Sequence, residues 1–254
     1  MAHGLWPERI HPALLANRYQ PIAIGPPLTE FDVPPETPLS ATIIIPQYNQ
    51  PELTIDAIQS LRRTDPLRWP VLIVDNGSTP ESLRRLHSIS DPDTVIHAIP
   101  RQGLTAAWNA AASRCRTRHL LFLNNDTLSK GPWVESLLAP LLTGQAAITG
   151  VALRREKRLS PAIEILAGWC FAVRSDFFQA MGGFDEALSL YFSDTDFQLR
   201  MRDHYIASAI TPWKVVPQLP IQHLSHRTAR QLANRSAIWK ADLARFLARW
   251  QGGC

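Results

Sequence analysis

Four-residue apolar runs recur along the first half of the chain, and each stops at residues that favour turns. The runs at 43–46, 71–74 and 120–123 are of this kind. Short apolar runs bounded by turn formers are typical of strands buried on both faces, as in the parallel sheets of α/β proteins. Residues 94–99 are predicted as a further strand.

Segments with helical character separate these strands. Pro51 lies in the first turn of a helix that runs to about Arg63, where a proline is well tolerated. Further helices are predicted at about 80–87 and 103–114. Strands that alternate with such helices indicate right-handed crossovers. The first half therefore predicts an α/β domain whose central sheet is mostly parallel and flanked by helices.

The two ends of the chain differ from this domain. Eight prolines in residues 1–40 exclude a regular helix or central strand there and predict an extended arm. We place the α/β domain at 41–228 and a basic amphipathic helix in the final segment, 229–254, with the helix itself over about 229–250. Between Pro140 and this helix the pattern is less regular. It predicts a strand near 146–151, a basic segment at 154–158, an apolar and aromatic stretch at 162–173, and helices from Ser175 and over about 194–203.

The composition is that of a globular protein. The chain has 254 residues, of which 45% are hydrophobic and 19% are charged, well away from the composition of disordered chains. No apolar run approaches the roughly 18 residues that a membrane span requires. The N-terminal residues lack the charged start and apolar core of a signal peptide. We therefore expect a soluble, cytoplasmic protein.

The net charge and the cysteine content exclude few classes of function. A net charge of +4 allows an anionic partner such as a nucleotide, a nucleic acid or a membrane surface, without choosing among them. Three cysteines without metal-type spacing indicate neither a disulfide framework nor a zinc site. Buried, reduced thiols are the expected state.

Polar residues follow the apolar run at 120–123 directly. Asn124, Asn125 and Asp126 would lie at the carboxyl end of a strand, where ligands of open α/β sheets bind. Asp126 could then supply an oxygen ligand to Mg2+ or Mn2+. The alternative is an Asn/Asp turn that closes the strand and caps a helix beginning near Trp133.

Two other strand ends offer groups suited to a nucleotide. Residues 46–49 combine an aromatic face with amides, which suits stacking and hydrogen bonding to a base. Asp75 ends the next strand, where a carboxylate can accept a hydrogen bond from a base N–H or a ribose hydroxyl. Gln102 and Gly103 precede a helix N-terminus, and Asn109 lies two turns into that helix.

These segments, taken in order, resemble the signatures of family 2 glycosyltransferases. The resemblance covers roughly residues 40–226 and rests on 43–49, 74–78, 103–109, 122–126, and the pair 182–186 and 191–200. It implies the GT-A nucleotide-diphospho-sugar transferase fold and sugar transfer with inversion at the anomeric carbon. Residues 41–126 would form the nucleotide-binding half, and residues 127–228 the acceptor and catalytic half.

The resemblance also implies roles for single residues. Asp75 is similar to the aspartate that binds uracil or thymine, and Asp126 resembles the last residue of the Asp-x-Asp metal motif. His223 resembles a late histidine that completes coordination of Mn2+ or Mg2+. The remaining nucleotide-binding candidates are Pro46, Tyr48, Asn49, Gln102, Gly103, Asn109, Asn124 and Asn125.

Asp194 resembles the general base that takes the proton of the acceptor hydroxyl. Asp196 stands four residues before Arg200, so we assign it to a structural ion pair within a helix. The chain departs from the family pattern at two places. Asn124 replaces the first aspartate of the metal motif, which predicts modest metal affinity. Ser193 replaces a glutamate before the base, which removes a like charge and should ease ionisation of Asp194.

The remaining candidates concern the sugars and the phosphates. Trp169 could stack on an acceptor or donor sugar, or pack in the core, and Ser193 could contact a sugar. His226 could share the role of His223 or touch phosphate. Arg227 could clamp the diphosphate, or lie at the solvated start of a basic helix.

The C-terminal helix interleaves aromatic and basic residues, a composition typical of an interfacial membrane helix. Packing on the catalytic body or forming a homodimer is the alternative.

The predicted function is transfer of a sugar from a UDP- or dTDP-sugar to an acceptor hydroxyl. A glycan or lipid-linked glycan acceptor at the cytoplasmic face of the membrane is the expected setting. A sugar-phosphate nucleotidyltransferase would carry a Gly-rich loop where this chain has Gln47, Tyr48 and Asn49. The sequence also permits a glycosyltransferase that acts on modified DNA, or a catalytically inactive relative that binds nucleotide. Plain nucleic-acid binding is disfavoured, because no arginine-rich recognition helix or aromatic platform stands out.

Overall fold

The computed structural model describes residues 41–205, 211–224 and 232–251. The predicted arm at 1–40 lies outside the described residues. The described strands are β1 Ala41–Gln47, β2 Val71–Asn76, β3 Thr94–Ile99, β4 His119–Leu123, β5 Thr127–Ser129, β6 Ala146–Gly150, β7 Leu153–Glu156, β8 Ile163–Leu166, β9 Cys170–Arg174, β10 Thr211–Val215 and β11 Ile221–His223. The described helices are α1 Pro51–Thr64, α2 Pro80–Leu86, α3 Leu104–Ala112, α4 Val134–Leu142, α5 Ser175–Ala180, α6 Ser193–Tyr205 and α7 Arg235–Trp250.

Seven strands form the central sheet in the order β10-β6-β9-β4-β1-β2-β3. Strand β1 pairs in parallel with both β2 and β4, and β2 pairs in parallel with β3. Strand β9 is antiparallel to both of its neighbours. The sheet is therefore mostly parallel, as predicted. The chain passes from β1 to β2 on one side, while β4 lies on the other, so β1 marks a topological switch point.

The central strands are buried on both faces, which explains their continuous apolar runs. Along β1, Ile43 and Ile45 face the core beneath α1 and α4, whereas Ile44 faces the opposite core beneath α3 and α6. In β4, Leu121 and Phe122 divide between the two cores in the same way. Each apolar residue on these strands thus removes surface from water on its own side of the sheet.

The predicted helices form close to their expected bounds. Pro51 lies in the first turn of α1, and Ile58 and Leu61 are buried against the sheet. Helix α2 begins after Thr79, whose side chain accepts a hydrogen bond from the backbone N–H of Ser82 at 3.3 Å. This N-cap satisfies one of the free N–H groups at the start of the helix.

The second half contains elements that the sequence pattern missed. The basic segment at 154–158 is partly strand β7, which pairs with β8 as a separate antiparallel hairpin. The short strands β5 and β11 also pair with each other, far apart in sequence. Helix α7 begins at Arg235, later than the predicted start, since residues 232–234 are not helical. Strands of three or four residues carry too few positions for a clear period-two pattern.

Helix α7 packs on the body of the protein. Phe246 is 1% exposed and its ring stacks on Phe192 with centroids 4.9 Å apart. Trp239, Leu243 and Leu247 pack in the same cluster. The apolar face of the helix is therefore used within the chain, and its exposed positions include Arg235, Lys240 and Arg245. Of the arrangements predicted for this helix, packing on the catalytic body is the one present here.

None of the helices within 41–205, 211–224 and 232–251 has both the length and the apolarity needed to cross a bilayer.

Cys115 and Cys170 are both buried and free, as predicted, and Cys254 lies outside the described residues. Burial raises the pKa of Cys115 to about 12 and also raises that of Cys170. Because the thiolate is the reactive form, neither thiol of the native protein should react with Ellman's reagent at pH 8. A Cys254→Ser variant isolates these two thiols, and both should react once the protein is unfolded. Rapid labelling of either thiol in the native state would contradict this placement.

Candidate active site

A cleft lies beyond the carboxyl ends of β1, β2 and β4. The three strand ends bring polar groups from distant parts of the sequence to one rim, as the switch-point geometry requires. Residues that follow α5 and residues near the start of α7 complete the walls. The lining residues are Pro46, Gln47, Tyr48, Asn76, Arg101, Gly103, Leu104, Asn124, Asn125, Asp126, Ser189, Leu190, Leu232 and Ile238.

One wall carries an aromatic ring covered by a cation. The guanidinium of Arg101 lies over the ring of Tyr48, 3.6 Å from its centroid. Such stacking presents a flat surface of positive charge. Tyr48 was predicted to bind nucleotide, whereas Arg101 was not, although it directly precedes the predicted residues Gln102 and Gly103. This pair can hold an aromatic base or a phosphate.

Gly103 brings two walls of the cleft into contact. Its φ of +104° lies in a region that glycine adopts readily. A Cβ there would stand 2.9 Å from the backbone oxygen of Ser189. That oxygen also accepts a hydrogen bond from the N–H of Thr105 at 3.3 Å. The glycine therefore lets residue 189 close over the start of α3.

Asp75 lies beside the cleft and does not line it. Its carboxylate accepts hydrogen bonds from Gln47 Nε2 and from the N–H of Ser78, both at 3.0 Å. The side chain is 1% exposed. In this structure Asp75 closes the turn after β2 and orients Gln47, which does line the cleft. To contact a nucleobase, Asp75 would have to replace these hydrogen bonds with bonds to the base.

Three other predicted nucleotide-binding residues hold loops together behind the cleft. Asn49 has a φ of +49° and accepts a hydrogen bond from the N–H of Thr79 at 2.8 Å. Gln102 donates its N–H to the Asn76 side chain at 2.9 Å. Asn109 bonds the N–H and carbonyl of Phe184 at 3.0 and 2.9 Å, which fixes the turn before α6. None of the three appears among the lining residues of this cleft.

Asp126 lines the cleft and contacts His223, which is not itself among the lining residues. The Oδ1 atom of Asp126 lies 3.0 Å from Nε2 of His223, although 97 residues separate them. The antiparallel pairing of β5 with β11 places His223 opposite Thr127, next to Asp126. Asp126 does not cap the helix near Trp133, because α4 begins at Val134 without a side-chain cap. The two residues predicted to share a metal are therefore adjacent.

The donor set of this pair fits a divalent cation. A carboxylate oxygen and an imidazole nitrogen both suit Mn2+, and Asp126 is 3% exposed at the cleft. Within the described residues no group of three or more His, Cys, Asp or Glu side chains is placed to hold a metal. Magnesium-type sites in nucleotide enzymes commonly use one or two protein ligands together with substrate phosphates. The pair is thus suited to a cation shared with a diphosphate.

Trp169 stacks on His223. The two rings are nearly parallel, at 7°, with centroids 4.9 Å apart. The backbone oxygen of Trp169 accepts a hydrogen bond from the N–H of Asn124 at 2.8 Å. One face of the indole therefore orients the histidine, which leaves at most the other face for a sugar.

Asp194 lies at the head of α6, as predicted, within an ion-pair network. Arg154 donates to Asp194 Oδ2 at 3.2 Å and to Glu156 at 2.9 Å. Burial alone would raise the pKa of Glu156, but hydrogen bonds from Arg158 and Arg154 outweigh it and lower that pKa. Burial of Arg154 opposes its charge, and the two carboxylates outweigh this effect and raise the pKa of its guanidinium. The sequence gives no local sign that Arg154 reaches Asp194, because the hairpin that carries it was not predicted.

A short segment, Gly168 and Trp169, links Asp194, the candidate general base, to the pair of Asp126 and His223. A Cβ on Gly168 would stand 2.2 Å from Asp194 Oδ2, so only glycine allows this approach. Gly168 precedes Trp169, which stacks on His223. Residues 168 and 169 therefore lie against Asp194 and His223 respectively, although Asp126 is the one member of this group that lines the cleft.

Asp196 forms the predicted ion pair with Arg200, at 2.9 Å. Its carboxylate also accepts from Arg249 at 2.7 Å and from the indole N–H of Trp250 at 3.0 Å. The side chain is 0% exposed. The assignment of Asp196 to structure is confirmed by these contacts.

Of the remaining candidates for contact with a sugar or phosphate, the structure describes Ser193. Ser193 is 2% exposed and does not line the cleft. His226 and Arg227 lie outside the described residues. The prediction missed Leu190, Leu232 and Ile238, which line the cleft but belong to segments without a recognisable signature.

The fold is similar to those of solved nucleotide-sugar enzymes. A mannosyltransferase from Pyrobaculum calidifontis, PcManGT, in complex with GDP-Man and Mn2+, is 17% identical with a TM-score of 0.57. The match covers 92% of this chain and 69% of that one. TarS from S. aureus, in complex with UDP, is 15% identical with a TM-score of 0.52, over 70% of this chain and 60% of that one. The architecture is therefore that of the GT-A glycosyltransferases.

A sequence relative and a family profile also match. The putative teichuronic acid biosynthesis glycosyltransferase TuaG of Bacillus subtilis is 26% identical over 117 residues. That match covers 44% of this chain and 46% of TuaG, so the chain aligns with less than half of this relative. The profile described as Glycosyl transferase family 2 matches residues 42–205. This range contains the carboxyl ends of β1, β2 and β4, and also Asp194. The chain therefore belongs to glycosyl transferase family 2.

Proposed function

We propose that this protein transfers a sugar from a nucleotide diphosphate sugar, a UDP- or dTDP-sugar, to an acceptor hydroxyl with inversion. The observation that carries the proposal is the 3.0 Å contact of Asp126 with His223, two residues that are far apart in sequence. Asp126 lines the same cleft as Tyr48, where the diphosphate would lie. PcManGT and TarS, whose folds are similar, were solved with GDP-Man and UDP respectively.

The donor would lie along the strand ends. The base would enter between the wall formed by Tyr48 and Arg101 and the side chain of Gln47, which line the cleft. Asn124 and Asn125 can accept or donate hydrogen bonds to ribose hydroxyls. The close approach of Gly103 to Ser189 joins two walls of the cleft at this point. These groups position the nucleotide and leave the diphosphate near Asp126.

Asp126 and His223 would hold a Mn2+ or Mg2+ ion. When bound, such an ion neutralises the charge that grows on the diphosphate leaving group. The replacement of an aspartate by Asn124 leaves Asp126 as the single carboxylate of residues 124–126. Metal affinity is therefore expected to depend strongly on this one side chain.

Asp194 would act as the general base. Its carboxylate accepts the proton of the acceptor hydroxyl while that oxygen bonds to the anomeric carbon and the bond to the diphosphate breaks. Attack from the side opposite the leaving group inverts the configuration. Arg154 donates to Oδ2 at 3.2 Å and so orients the carboxylate, and the described residues place no hydrogen-bond donor on Oδ1.

The biological setting is proposed from the sequence relative. TuaG is described as a putative teichuronic acid biosynthesis glycosyltransferase, and a similar role in polysaccharide or glycoconjugate assembly at the cytoplasmic face fits this chain. The acceptor would be a glycan or a lipid-linked glycan. Peripheral contact with a membrane would then involve the exposed basic residues of α7, because its apolar face is packed on the body.

A thermal-shift panel tests the donor assignment. UDP-, dTDP- and GDP-sugars should be compared with and without Mn2+, since a ligand that binds the native state raises its stability by mass action. A UDP- or dTDP-sugar is expected to raise the melting temperature, and more so with Mn2+. A ligand at about 100 times its dissociation constant adds about 2.7 kcal/mol to the free energy of unfolding. No shift with any donor would refute the proposed function.

A further inference from the structure

Helix α7 reaches the candidate active site from outside the region that defines the family. The family profile ends at residue 205, whereas α7 spans Arg235–Trp250. Ile238, in the first turn of the helix, lines the same cleft as Asp126. A segment that the family match does not include therefore forms part of the cleft wall.

Asp242 ties this helix to a neighbouring loop, residues 189–191. Its carboxylate accepts hydrogen bonds from three consecutive backbone N–H groups, those of Ser189 at 3.1 Å, and of Leu190 and Tyr191 at 2.9 Å each. The side chain is 0% exposed. A buried carboxylate that accepts several N–H bonds is held firmly, because such bonds are stronger than those between neutral groups.

The loop that Asp242 holds is itself a wall of the cleft. Ser189 and Leu190 line the cavity, and the Ser189 carbonyl accepts the N–H of Thr105. That carbonyl is also the atom that a Cβ on Gly103 would meet. The loop thus lies between α7 and the start of α3, so a shift of the loop changes the width of the cleft. The far end of α7 is fixed independently through Arg249, which pairs with Asp185 and Asp196.

We propose that Asp242 is a positioning residue for donor binding: through residues 189–191 it sets the affinity of the cleft for the nucleotide part of the donor. This inference rests on the proposed function, and it assigns to α7 a role in the site as well as in packing. Asp242 does not line the cleft, so its effect passes through the backbone that it holds.

The test compares Asp242→Asn with two control variants of the full chain. Asparagine keeps the shape of the side chain but removes the charge and leaves one acceptor oxygen. Leu247→Ala removes apolar packing from the same helix and keeps the carboxylate of Asp242, and Lys240→Gln alters an exposed position. Melting temperature, the dissociation constant for UDP-, dTDP- and GDP-sugars with Mn2+, and KM and kcat with the donor that binds are measured for each.

Asp242→Asn is expected to raise both the donor dissociation constant and its KM by about tenfold, with kcat changed by less than about threefold. Leu247→Ala should lower the melting temperature and leave donor affinity unchanged, and Lys240→Gln should change neither. An unchanged donor affinity in Asp242→Asn overturns the inference. So does an equal loss of affinity in Leu247→Ala, because stability alone would then explain the effect.

A second variant covers the case in which Asp242→Asn does not fold. Ile238→Ala shortens a half-buried side chain at the cleft and leaves the buried carboxylate in place. It should raise the donor dissociation constant by about threefold with little change in melting temperature, and an unchanged constant would overturn the role of α7.

If the wild type binds none of these donors, the proposed function fails and this inference falls with it. If the wild type binds and the variants bind equally well, only the inference fails.

Discussion

Asp194→Asn is expected to lower kcat for sugar transfer by about 10²- to 10⁴-fold, the range that general-base catalysis supplies. Asparagine has the same shape as aspartate, and Arg154 keeps its second partner, Glu156, at 2.9 Å. The amide cannot take the proton of the acceptor hydroxyl, so chemistry fails while donor binding persists. Steady-state kinetics together with donor affinity from calorimetry separate these two effects.

Asp196→Asn is the matched control, since it makes the same change two residues further along α6. Asp196 is 0% exposed and bonds Arg200, Arg249 and Trp250. Loss of one partner from a buried ion pair typically costs about 3–5 kcal/mol of stability. This variant should therefore melt at a lower temperature while its folded fraction loses less than about tenfold in kcat. If the larger loss of kcat occurs at position 196, the roles of the two aspartates are reversed.

The sheet could be predicted because its signals are local. The apolar runs at 43–46, 71–74 and 120–123 became β1, β2 and β4, since residues buried on both faces must be apolar at consecutive positions. Pro51 and Pro80 mark the starts of α1 and α2 in the same local way. The hairpin of β7 and β8 escaped prediction because its strands have four residues each, and β7 carries three charged residues in a row, which also suit a loop.

The site could be predicted only where a motif marks it. The strand-end position indicated Asp126, and family resemblance indicated His223. The structure brings the two together through the pairing of β5 with β11, which no periodic pattern in the sequence predicts. Arg154 and Asp242 act across 40 and more than 50 residues respectively, on Asp194 and on the loop at 189–191. Such contacts depend on tertiary packing, so local patterns in a single sequence do not predict them. The base contact predicted for Asp75 stays a prediction, and the structure adds hydrogen bonds to Gln47 and Ser78 that the motif does not indicate.

Asp126→Asn is expected to weaken the binding of Mn2+, measured as the metal concentration that half-saturates the increase in UDP-sugar affinity, by about a hundredfold. Changes to groups around metal sites commonly cost 10- to 100-fold in metal affinity, and Asp126 is proposed as a direct ligand. It also carries the single negative charge of residues 124–126. Asparagine keeps an oxygen beside His223 but removes the charge that attracts the cation.

The same titration without metal provides the control for this prediction. In the presence of EDTA, the wild type and Asp126→Asn should bind the nucleotide with similar affinity, because the wall formed by Tyr48 and Arg101 is unchanged. Asp176→Asn, which alters an exposed carboxylate paired with Arg174, should follow the wild-type Mn2+ curve. If Asp126→Asn also follows that curve, Asp126 does not hold the metal, and its 3.0 Å contact with His223 serves only to join β5 to β11.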